Sequence, residues 1–339
     1  MPRPKIDPVV WRPPKLPARA KLTQGTRPLP PPWVIPVSGV GPEDVVLDAD
    51  GHLITGVEDG RILRISNEGR QIEQLADTGG RPLGIELLPD GRLLVCDANR
   101  GLLTVDPDSG SIDVLAYEVD GRPMLFCNNA AVARDGTVYF SDSSRRFGIE
   151  HWRAEMMEHS GTGRLLRLDP AGTVSVVMDG LQFANGVALA ADESFVAVAE
   201  TGSYQVRRLW LTGPSAGSAD MLVSNLPAVP DNMSTGSDGL IWIALPSHRP
   251  AALDWLHGKP PILRRLAWAL PEGWQPKESR VVWVMAVDDN GHVVHDLQGP
   301  GDRFHVVTGV RERAGRVYLG SLVEPAVAVL DLRAGSSPS

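Results

Sequence analysis

Residues 187–200 read VALAADESFVAVAE, and residues 131–142 read AVARDGTVYFSD. Each stretch is an apolar strand, a short polar turn and a second apolar strand. Asp-Gly between apolar strands is a strong signal for a β-hairpin, because glycine adopts positive φ without steric cost. The same plan returns in four further segments, which are 45–56 (VVLDADGHLITG), 85–97 (IELLPDGRLLVCD), 233–245 (MSTGSDGLIWIAL) and 310–322 (VRERAGRVYLGSL).

The spacing of these six hairpins points to a repeat architecture. Successive turns lie 40, 45, 57, 46 and 76 residues apart, and a second pair of apolar segments often follows the first, as in GRLLRLDPAGTVSVVM (163–178). Four strands in about 40–50 residues is the period of a propeller blade. We therefore predict an all-β, six-bladed β-propeller, with a sandwich of unrelated hairpins as the alternative.

The widest gap, before the last hairpin, contains the segment 251–274, AALDWLHGKPPILRRLAWALPEGW. Its ILRRLAWAL portion has the apolar spacing of a helix, with Arg264 and Arg265 together on the other face. This pattern predicts a helical insertion between blades 5 and 6, packed across the channel mouth. A mobile lid and a membrane-surface contact are alternatives that the sequence leaves open.

The ends of the chain differ in composition from the repeats. Eleven prolines among the first 36 residues predict an extended N-terminal arm over 1–38. The propeller is then expected to occupy 39–333, and a flexible tail is expected over 334–339.

Composition excludes several classes of protein. The 35 glycines and 29 prolines argue against a helical bundle. A net charge of −8 without a Lys/Arg block argues against a nucleic-acid partner. We expect no transmembrane segment and a cytoplasmic location. Two cysteines, Cys96 and Cys127, are too few for a disulfide framework and are expected in the core.

One register position carries the candidate site. Eight residues before the turn, the first five units have Glu43, Leu83, Asn128, Asn185 and Asp231. This position lies near the start of the first strand of each unit, which we expect to be the innermost, so these side chains should converge on the central channel. The adjacent residues Asp44, Asn129 and Asn232 should point away in a regular strand, although an irregular backbone would let Asn232 reach the same centre.

A converging ring of oxygen atoms needs a partner when it is buried. Two carboxylates and two amides suit Ca²⁺, or another divalent cation, better than zinc, which prefers nitrogen and sulfur ligands. The alternative is that these residues cap strands and turns, where Asn and Asp are common. The register therefore predicts a metal site formed by Glu43, Asn128, Asn185 and Asp231.

The motifs also resemble a known family. Segments 41–62 (GPEDVVLDADGHLITGVEDGRI), 81–102 (RPLGIELLPDGRLLVCDANRGL), 183–201 (FANGVALAADESFVAVAET) and 229–234 (VPDNMS) are similar to the strictosidine synthase-like branch of the six-bladed propellers. The wider superfamily contains gluconolactonases, paraoxonases and diisopropyl fluorophosphatase. The resemblance spans about residues 40–332, and it implies the propeller fold.

In the hydrolytic members of that superfamily a catalytic Ca²⁺ is held by a Glu, Asn residues and an Asp. By motif these correspond to Glu43, Asn128, Asn185 and Asp231, with Asn129 an adjacent alternative to Asn128. Strictosidine synthase itself uses no metal and relies on a Glu before the last blade. Gly309 stands at the matching position, which argues against a synthase reaction.

The sequence thus predicts a calcium-dependent hydrolase whose small-molecule substrate is a lactone or ester. Trp255, Trp268 and Trp274 in the insertion suggest an apolar channel mouth and therefore a hydrophobic substrate. Asp231 would be a metal ligand and either general base or nucleophile, and Glu43 would anchor the ion. The candidates for substrate contact are Arg81, Asp142, Glu200, His248 and His305. The alternatives are a non-catalytic binding scaffold with structural calcium and, less strongly supported, a synthase.

Overall fold

The computed structural model describes residues 3–271 and 279–335 of the chain. Within them, six four-stranded antiparallel sheets follow one another, which is the arrangement of a six-bladed β-propeller. The six turn positions that the repeat predicts all have positive φ in the structure, and they are Gly51, Gly91, Gly136, Glu193, Gly239 and Gly315. The hairpin signal in the sequence therefore located the blades correctly.

In each blade, the strand named first lies at the channel and the strand named last forms the outer edge. The first blade contains Val46–Leu47, Leu53–Gly56, Arg61–Ser66 and Gln71–Asp77. The second contains Pro82–Leu87, Leu93–Asp97, Gly101–Val105 and Ile112–Ala116. The third contains Cys127–Val132, Val138–Asp142, Gly163–Leu168 and Val174–Leu181.

The remaining blades follow the same order. The fourth contains Ala184–Leu189, Phe195–Glu200, Gln205–Trp210 and Ala219–Val223. The fifth contains Met233–Thr235, Ile241–Ala244, Val281–Val287 and Val293–Pro300. The sixth contains Val307–Arg313, Arg316–Ser321, Ala326–Asp331 and Trp33–Pro36. Two short pairs lie outside the blades, Glu118–Val119 with Arg122–Pro123 and Ala228–Val229 with Ser247–His248.

The sixth blade closes the ring with a strand from the N-terminal arm. Trp33–Pro36 pairs antiparallel with Ala326–Asp331 and forms the outer edge of that blade. The boundary expected at residue 38 therefore moves toward the N-terminus, because the end of the arm is a propeller strand. By joining the last blade, this first strand covers the edge of Ala326–Asp331 at the point where the circle closes.

Apolar side chains fill the spaces between the blades. The buried clusters alternate around the ring, each combining residues of two neighbouring sheets. Cys96 and Cys127 are both free and buried in the cluster between the second and third blades, as expected for core residues.

Three α-helices of the described chain lie at one end of the propeller. Helix α1 (Trp152–Glu158) joins the second and third strands of the third blade. Helices α2 (Ala251–His257) and α3 (Pro261–Ala269) join the second and third strands of the fifth blade. The helical insertion thus precedes the sixth blade, as expected, and strand pairing places it within the fifth. Residues 272–274 of the expected insertion lie outside the described residues.

Short 3₁₀ turns occur at Ala18–Lys21, Asn67–Gly69, Ile149–His151, Thr201–Ser203 and Leu332–Gly335. In an antiparallel blade, the second-to-third connections lie at the end where the inner strands begin. The helices therefore share an end of the channel with the candidate ring. Over the described ranges, no helix combines the length and apolarity needed to cross a membrane.

Candidate functional site

Hydrogen bonds between blades that are not neighbours define the centre of the channel. Asn232, beside the fifth blade, donates its amide to both carboxylate oxygens of Glu43, beside the first blade, at 2.9 and 3.0 Å. Asn129 of the third blade donates to Asp44 at 3.3 Å. Since a whole blade separates the members of each pair, these side chains meet at the axis. The register prediction that this position faces the channel is consistent with these contacts.

The adjacent residues also face the axis, which corrects the expectation that they point away. Strand pairing skips two residues in the third blade, between Cys127 and Ala130, so Asn128 and Asn129 lie in a β-bulge. Similar irregularities occur at the same place in the second, fourth and sixth blades. In the third blade the bulge breaks the strict alternation of strand side chains, so both Asn128 and Asn129 can reach the channel. Asp44 and Asn232 precede the inner strands of their blades, Val46–Leu47 and Met233–Thr235, so strand alternation does not apply to them.

The second position of this dipeptide alternates around the ring. The odd-numbered blades carry Asp44, Asn129 and Asn232, and the even-numbered blades carry Gly84, Gly186 and Gly309. A Cβ at Gly84 would lie 2.7 Å from the Cα of Asn129, and one at Gly309 would lie 2.7 Å from the Cα of Asp44. The glycines therefore allow the neighbouring polar residues to approach the axis. Pairs of two polar residues thus alternate with pairs whose second residue is glycine. This alternation is visible in the sequence and could have indicated that both residues of the polar pairs face the channel.

We call Glu43, Asn128, Asn185, Asp231 and Asn232 the upper ring. Glu43, Asn128, Asn185 and Asn232 are no more than 4% exposed, whereas Asp231 is partly exposed. Within the described residues, the Oδ1 atoms of the three asparagines are buried without a hydrogen-bond partner. The Asn128 amide donates to Ser143 at 2.9 Å and the Asn185 amide hydrogen-bonds to Asp231, so the amide nitrogens are engaged while the oxygens are not.

The negative charges of Glu43 and Asp231, the two carboxylates of the upper ring, repel each other. Burial, together with the nearby Asp231 and Asp44, raises the pKa of Glu43 well above its usual range. Burial likewise raises the pKa of Asp231 to about 7, against the opposing hydrogen bond from Asn185. Buried carboxylates beside unpartnered amide oxygens form a donor set that a cation would satisfy. Because every donor is oxygen, the set fits a hard cation such as Ca²⁺.

A second charged group, which we call the lower layer, consists of Asp44, Glu86 and Arg311. Arg311, on the inner strand of the sixth blade, forms an ion pair with Glu86 of the second blade. Burial raises the pKa of Asp44 to about 6, and the nearby Arg311 charge opposes the rise. This layer therefore already contains a cation. Sequence reasoning missed Arg311, since nothing in its motif separates it from a surface arginine.

An apolar cluster lies at the helix end of the channel, and two of its residues precede members of the upper ring in the chain. Leu83, Phe126 and Phe183 come from the start of the second, third and fourth blades, and they pack with Met156 of α1 and Leu253 of α2. The rings of Phe126 and Phe183 meet edge to face with centroids 5.5 Å apart. We call this cluster the roof. The tryptophans from which an apolar mouth was expected are not part of it: Trp255 is 58% exposed, Trp268 packs against a separate cluster, and Trp274 lies outside the described residues.

Arg81 lies beside the upper ring and is buried. Its guanidinium donates to the Gly41 carbonyl at 2.9 Å. Burial lowers the pKa of Arg81, and the Glu43 charge opposes that change. The structure thus brings Arg81 close to the ring, where its charge partly balances Glu43.

Asp142 and Glu200 lie inside their blades and have structural partners. Asp142 is fully buried and pairs with Arg164 at 2.9 Å while accepting the Phe126 N–H at 3.1 Å. Glu200 accepts the Gln182 N–H at 2.8 Å. These contacts are those of strand-end and turn capping, so the expected role at the rim gains no support.

The two histidine candidates are far apart. His248 belongs to a short strand outside the fifth blade and hydrogen-bonds to Gln298 on that blade's outer strand at 3.1 Å. His305 precedes the inner strand of the sixth blade and pairs with Glu324. Neither residue contacts the upper ring through a hydrogen bond or ion pair in the described part of the chain, so substrate contact stays a prediction for both.

A separate group of possible metal ligands, Asp48, Asp50 and His52, lies in the hairpin turn of the first blade. The Asp48 carboxylate accepts the backbone N–H groups of Asp50 and His52 at 3.0 and 2.8 Å. This is the hydrogen bonding of an ordinary Asx turn. The turn itself accounts for the cluster.

Comparison with known proteins identifies the family. The strictosidine synthase profile matches residues 128–214, and the profile for the N-terminal part of strictosidine synthase-like proteins matches residues 34–65. The chain is 36% identical over 318 residues to the adipocyte plasma membrane-associated protein of Rattus norvegicus, covering 86% of this chain and 84% of that one. The chain belongs to the strictosidine synthase-like family.

Other members and solved structures agree with this assignment. Strictosidine synthase-like 6 of Arabidopsis thaliana is 33% identical over 308 residues, covering 87% of this chain and 81% of that one. A gluconolactonase of Xanthomonas campestris superposes with a TM-score of 0.66 at 17% identity, covering 98% of both chains. Regucalcin of Agrobacterium tumefaciens, a calcium-binding protein, gives 0.62 at 14% identity over 89% of this chain and 94% of that one. At such identities the solved structures establish the shared fold.

Gly309 lies against the backbone of the first blade. A Cβ at this position would lie 2.7 Å from the Glu43 carbonyl oxygen and from the Asp44 Cα. Any side chain there would collide with that backbone. The sixth blade therefore needs glycine at this position to approach the first blade so closely.

Proposed function

We propose that this protein is a calcium-dependent hydrolase of a lactone or ester, acting at the upper ring. One observation carries most of the argument: three buried asparagine oxygens without a partner in the described chain surround two carboxylates with raised pKa values. Buried groups of this kind are costly unless they bind something. The names of two proteins with the same fold, a gluconolactonase and a calcium-binding protein, point to the same chemistry.

Glu43, Asn128, Asn185 and Asp231 would hold the ion. Asn232 holds both oxygens of the Glu43 carboxylate and so fixes the direction in which that ligand points. When bound, Ca²⁺ supplies a Lewis acid for the carbonyl oxygen of the substrate.

Asp231 is the carboxylate best placed to act on water. It is partly exposed, whereas Glu43 is 3% exposed. As general base it would take a proton from water, whose oxygen forms a bond to the carbonyl carbon. The ester C–O bond then breaks, and the leaving oxygen takes up a proton. In a lactone the leaving group stays attached, so the product is a single hydroxy acid.

The roof indicates the character of the substrate. Phe126, Phe183 and Leu83 offer apolar contacts at the helix end of the channel. Such a surface favours a lactone or ester with an apolar chain over a polar sugar lactone.

The decisive experiment combines metal analysis of the purified protein with a panel of lactones and aryl esters, with and without chelator. We expect about one calcium per chain and hydrolysis that chelator abolishes. Asp231→Asn should lower kcat by about 10²–10³-fold. Asp90→Asn, in an exposed hairpin turn of the second blade, is the matched control and should keep full activity.

A non-catalytic scaffold with structural calcium is the second candidate, and the roof favours it because it places apolar side chains at the same end of the channel as the ring. This alternative predicts that chelator lowers the melting temperature while no substrate in the panel is turned over. That result would reject the hydrolase and retain the metal site.

A further inference from the structure

Helix α3 buries one of its two arginines and leaves large apolar side chains exposed, while Arg265 stays at the surface. The sequence predicts Arg264 on the polar face, yet Arg264 is fully buried and its guanidinium donates to three backbone carbonyls beneath the helix. Ile262 and Leu266 are 53% and 60% exposed, and Leu270, just beyond the helix, is 44% exposed. A surface helix normally turns its apolar stripe inward. This one buries an arginine and leaves the stripe facing outward.

Neighbouring segments extend the exposed stripe. Trp255 of α2 is 58% exposed, and Val9 and Val10 of the N-terminal arm are 50% and 52% exposed. The Arg264 guanidinium donates to the Val9 carbonyl, so the arm lies against α3. We call residues 3–21 together with 251–270 the outer cap. We call six of its exposed apolar residues the apolar patch, namely Val9, Val10, Trp255, Ile262, Leu266 and Leu270.

The charge of the outer cap is opposite to that of the whole protein. Its two segments contain nine Lys and Arg residues against two Asp, while the full chain has a net charge of −8. Five of the basic residues of the outer cap are exposed, namely Lys5, Arg12, Lys15, Lys21 and Arg265. Lys259 lies with its ammonium 4.9 Å from the centre of the Trp255 ring, which places a cation next to an exposed indole.

We propose that the outer cap docks on an anionic lipid surface. Exposed tryptophan, leucine and isoleucine next to lysine and arginine form the combination by which a helix lies in the membrane interface. Anionic headgroups complement the basic residues, and the acyl boundary takes up the apolar patch.

A second copy of this chain fits the patch less well. Symmetric pairing would place each basic cap against the other, and like charges facing each other oppose association. Docking on lipid also turns the helix end of the channel, where the upper ring lies, toward the bilayer.

Vesicle flotation of the full chain tests the proposal without any measurement of catalysis. One set of vesicles is pure phosphatidylcholine, and the other contains about 30 mol% phosphatidylglycerol. We expect binding to the anionic vesicles, weaker binding to the neutral ones, and loss of binding at about 0.5 M NaCl, where surface charges are screened. Trp255→Ser combined with Leu266→Ser should weaken binding about tenfold or more.

The matched control is Val114→Ser combined with Ile72→Ser. Val114 is 50% exposed and Ile72 is 37% exposed, on the outer strands of the second and first blades, and neither blade contains a segment of the outer cap. The control should bind vesicles like the unaltered protein. The proposal is overturned if anionic vesicles do not bind, or if both double variants behave alike. It is also overturned if the Trp255/Leu266 variant abolishes a dimer in solution while vesicle binding is absent throughout.

Discussion

The channel contains two layers of buried acidic groups, and they meet the cost of burial differently. In the lower layer, Arg311 pairs with Glu86 and its positive charge also acts on Asp44. In the upper ring, Glu43 and Asp231 have raised pKa values and lie among asparagine oxygens with no partner in the described residues. The lower layer contains its cation, the Arg311 guanidinium, as part of the protein chain.

This difference assigns different roles to the layers. A guanidinium fixed to the sixth blade cannot be exchanged, so it neutralises charge and supports the structure. A bound metal ion keeps coordination positions that a substrate can enter. Under the proposed function, the upper ring is the place for chemistry and the lower layer supports the structure. The following experiments test this division, beginning with the largest expected effect.

Replacing Arg311 should destabilise the lower layer. Arg311→Met removes the cation and leaves acidic groups without compensation, so we expect a loss of about 3 kcal/mol in the free energy of unfolding. The value is taken from the lower end of the range for such pairs because the Arg311 side chain is 15% exposed. Urea unfolding measures it.

A second substitution checks the cause of that loss. Asp44→Asn in the Arg311→Met background should recover about 1 kcal/mol, because it removes a charge that then has no partner. If the double variant is as unstable as the sum of its single variants, the Asp44–Arg311 interaction does not carry the effect.

Adding a methyl group at Gly309 should disturb the contact between blades that both layers depend on. Gly309→Ala would place a Cβ 2.7 Å from the first blade's backbone, with an expected cost of about 1–3 kcal/mol. Gly258→Ala is the control, since its Cβ would meet nothing closer than 3.9 Å. Equal melting temperatures for the two variants would contradict the close packing at Gly309.

The effect of calcium on stability should depend on pH. Because the folded-state pKa of Asp231 is raised to about 7, the stability this group contributes is present at low pH and is lost as the pH rises through that value. Calcium replaces the proton, so its apparent affinity should increase about tenfold between pH 6 and pH 8. Calorimetric titration measures the affinity at each pH. An affinity that does not change with pH would separate Asp231 from the metal site.

The smallest effect concerns the roof and rests on the proposed hydrolase. Phe126→Leu keeps an apolar side chain but loses aromatic contact area at the helix end of the channel. We expect kcat/KM for an ester with an apolar chain to fall about fivefold relative to that for a polar lactone. If both substrates are affected equally, the roof does not select the substrate.

Much of the site could be predicted from the repeat. Counting back from the Asp-Gly turns led to Glu43, Asn128, Asn185 and Asp231, and their role as metal ligands stays a prediction. Asn129 and Asn232 were expected to point away in a regular strand, with Asn232 able to reach the centre through an irregular backbone. Asn129 lies in a β-bulge of the third blade, which depends on how two strands pair, and Asn232 donates to Glu43 of the first blade. Asp142 was predicted to lie at the rim. Its partner Arg164 lies on a different strand of the blade, so the sequence pattern did not reveal this ion pair.

The hairpin turns, the number of blades and the position of the upper ring follow from local patterns, because turn chemistry and strand alternation act over a few residues. Four other features arise only when distant segments meet: Trp33–Pro36 closing the sixth blade, Arg311 reaching the lower layer, the roof, and Arg264 turned beneath α3. Each depends on partners that are distant in the chain, from 57 residues for Phe126 and Phe183 of the roof to more than 200 for Glu86 and Arg311. Burial, charge compensation and packing are properties of those contacts, and no single stretch of sequence contains them.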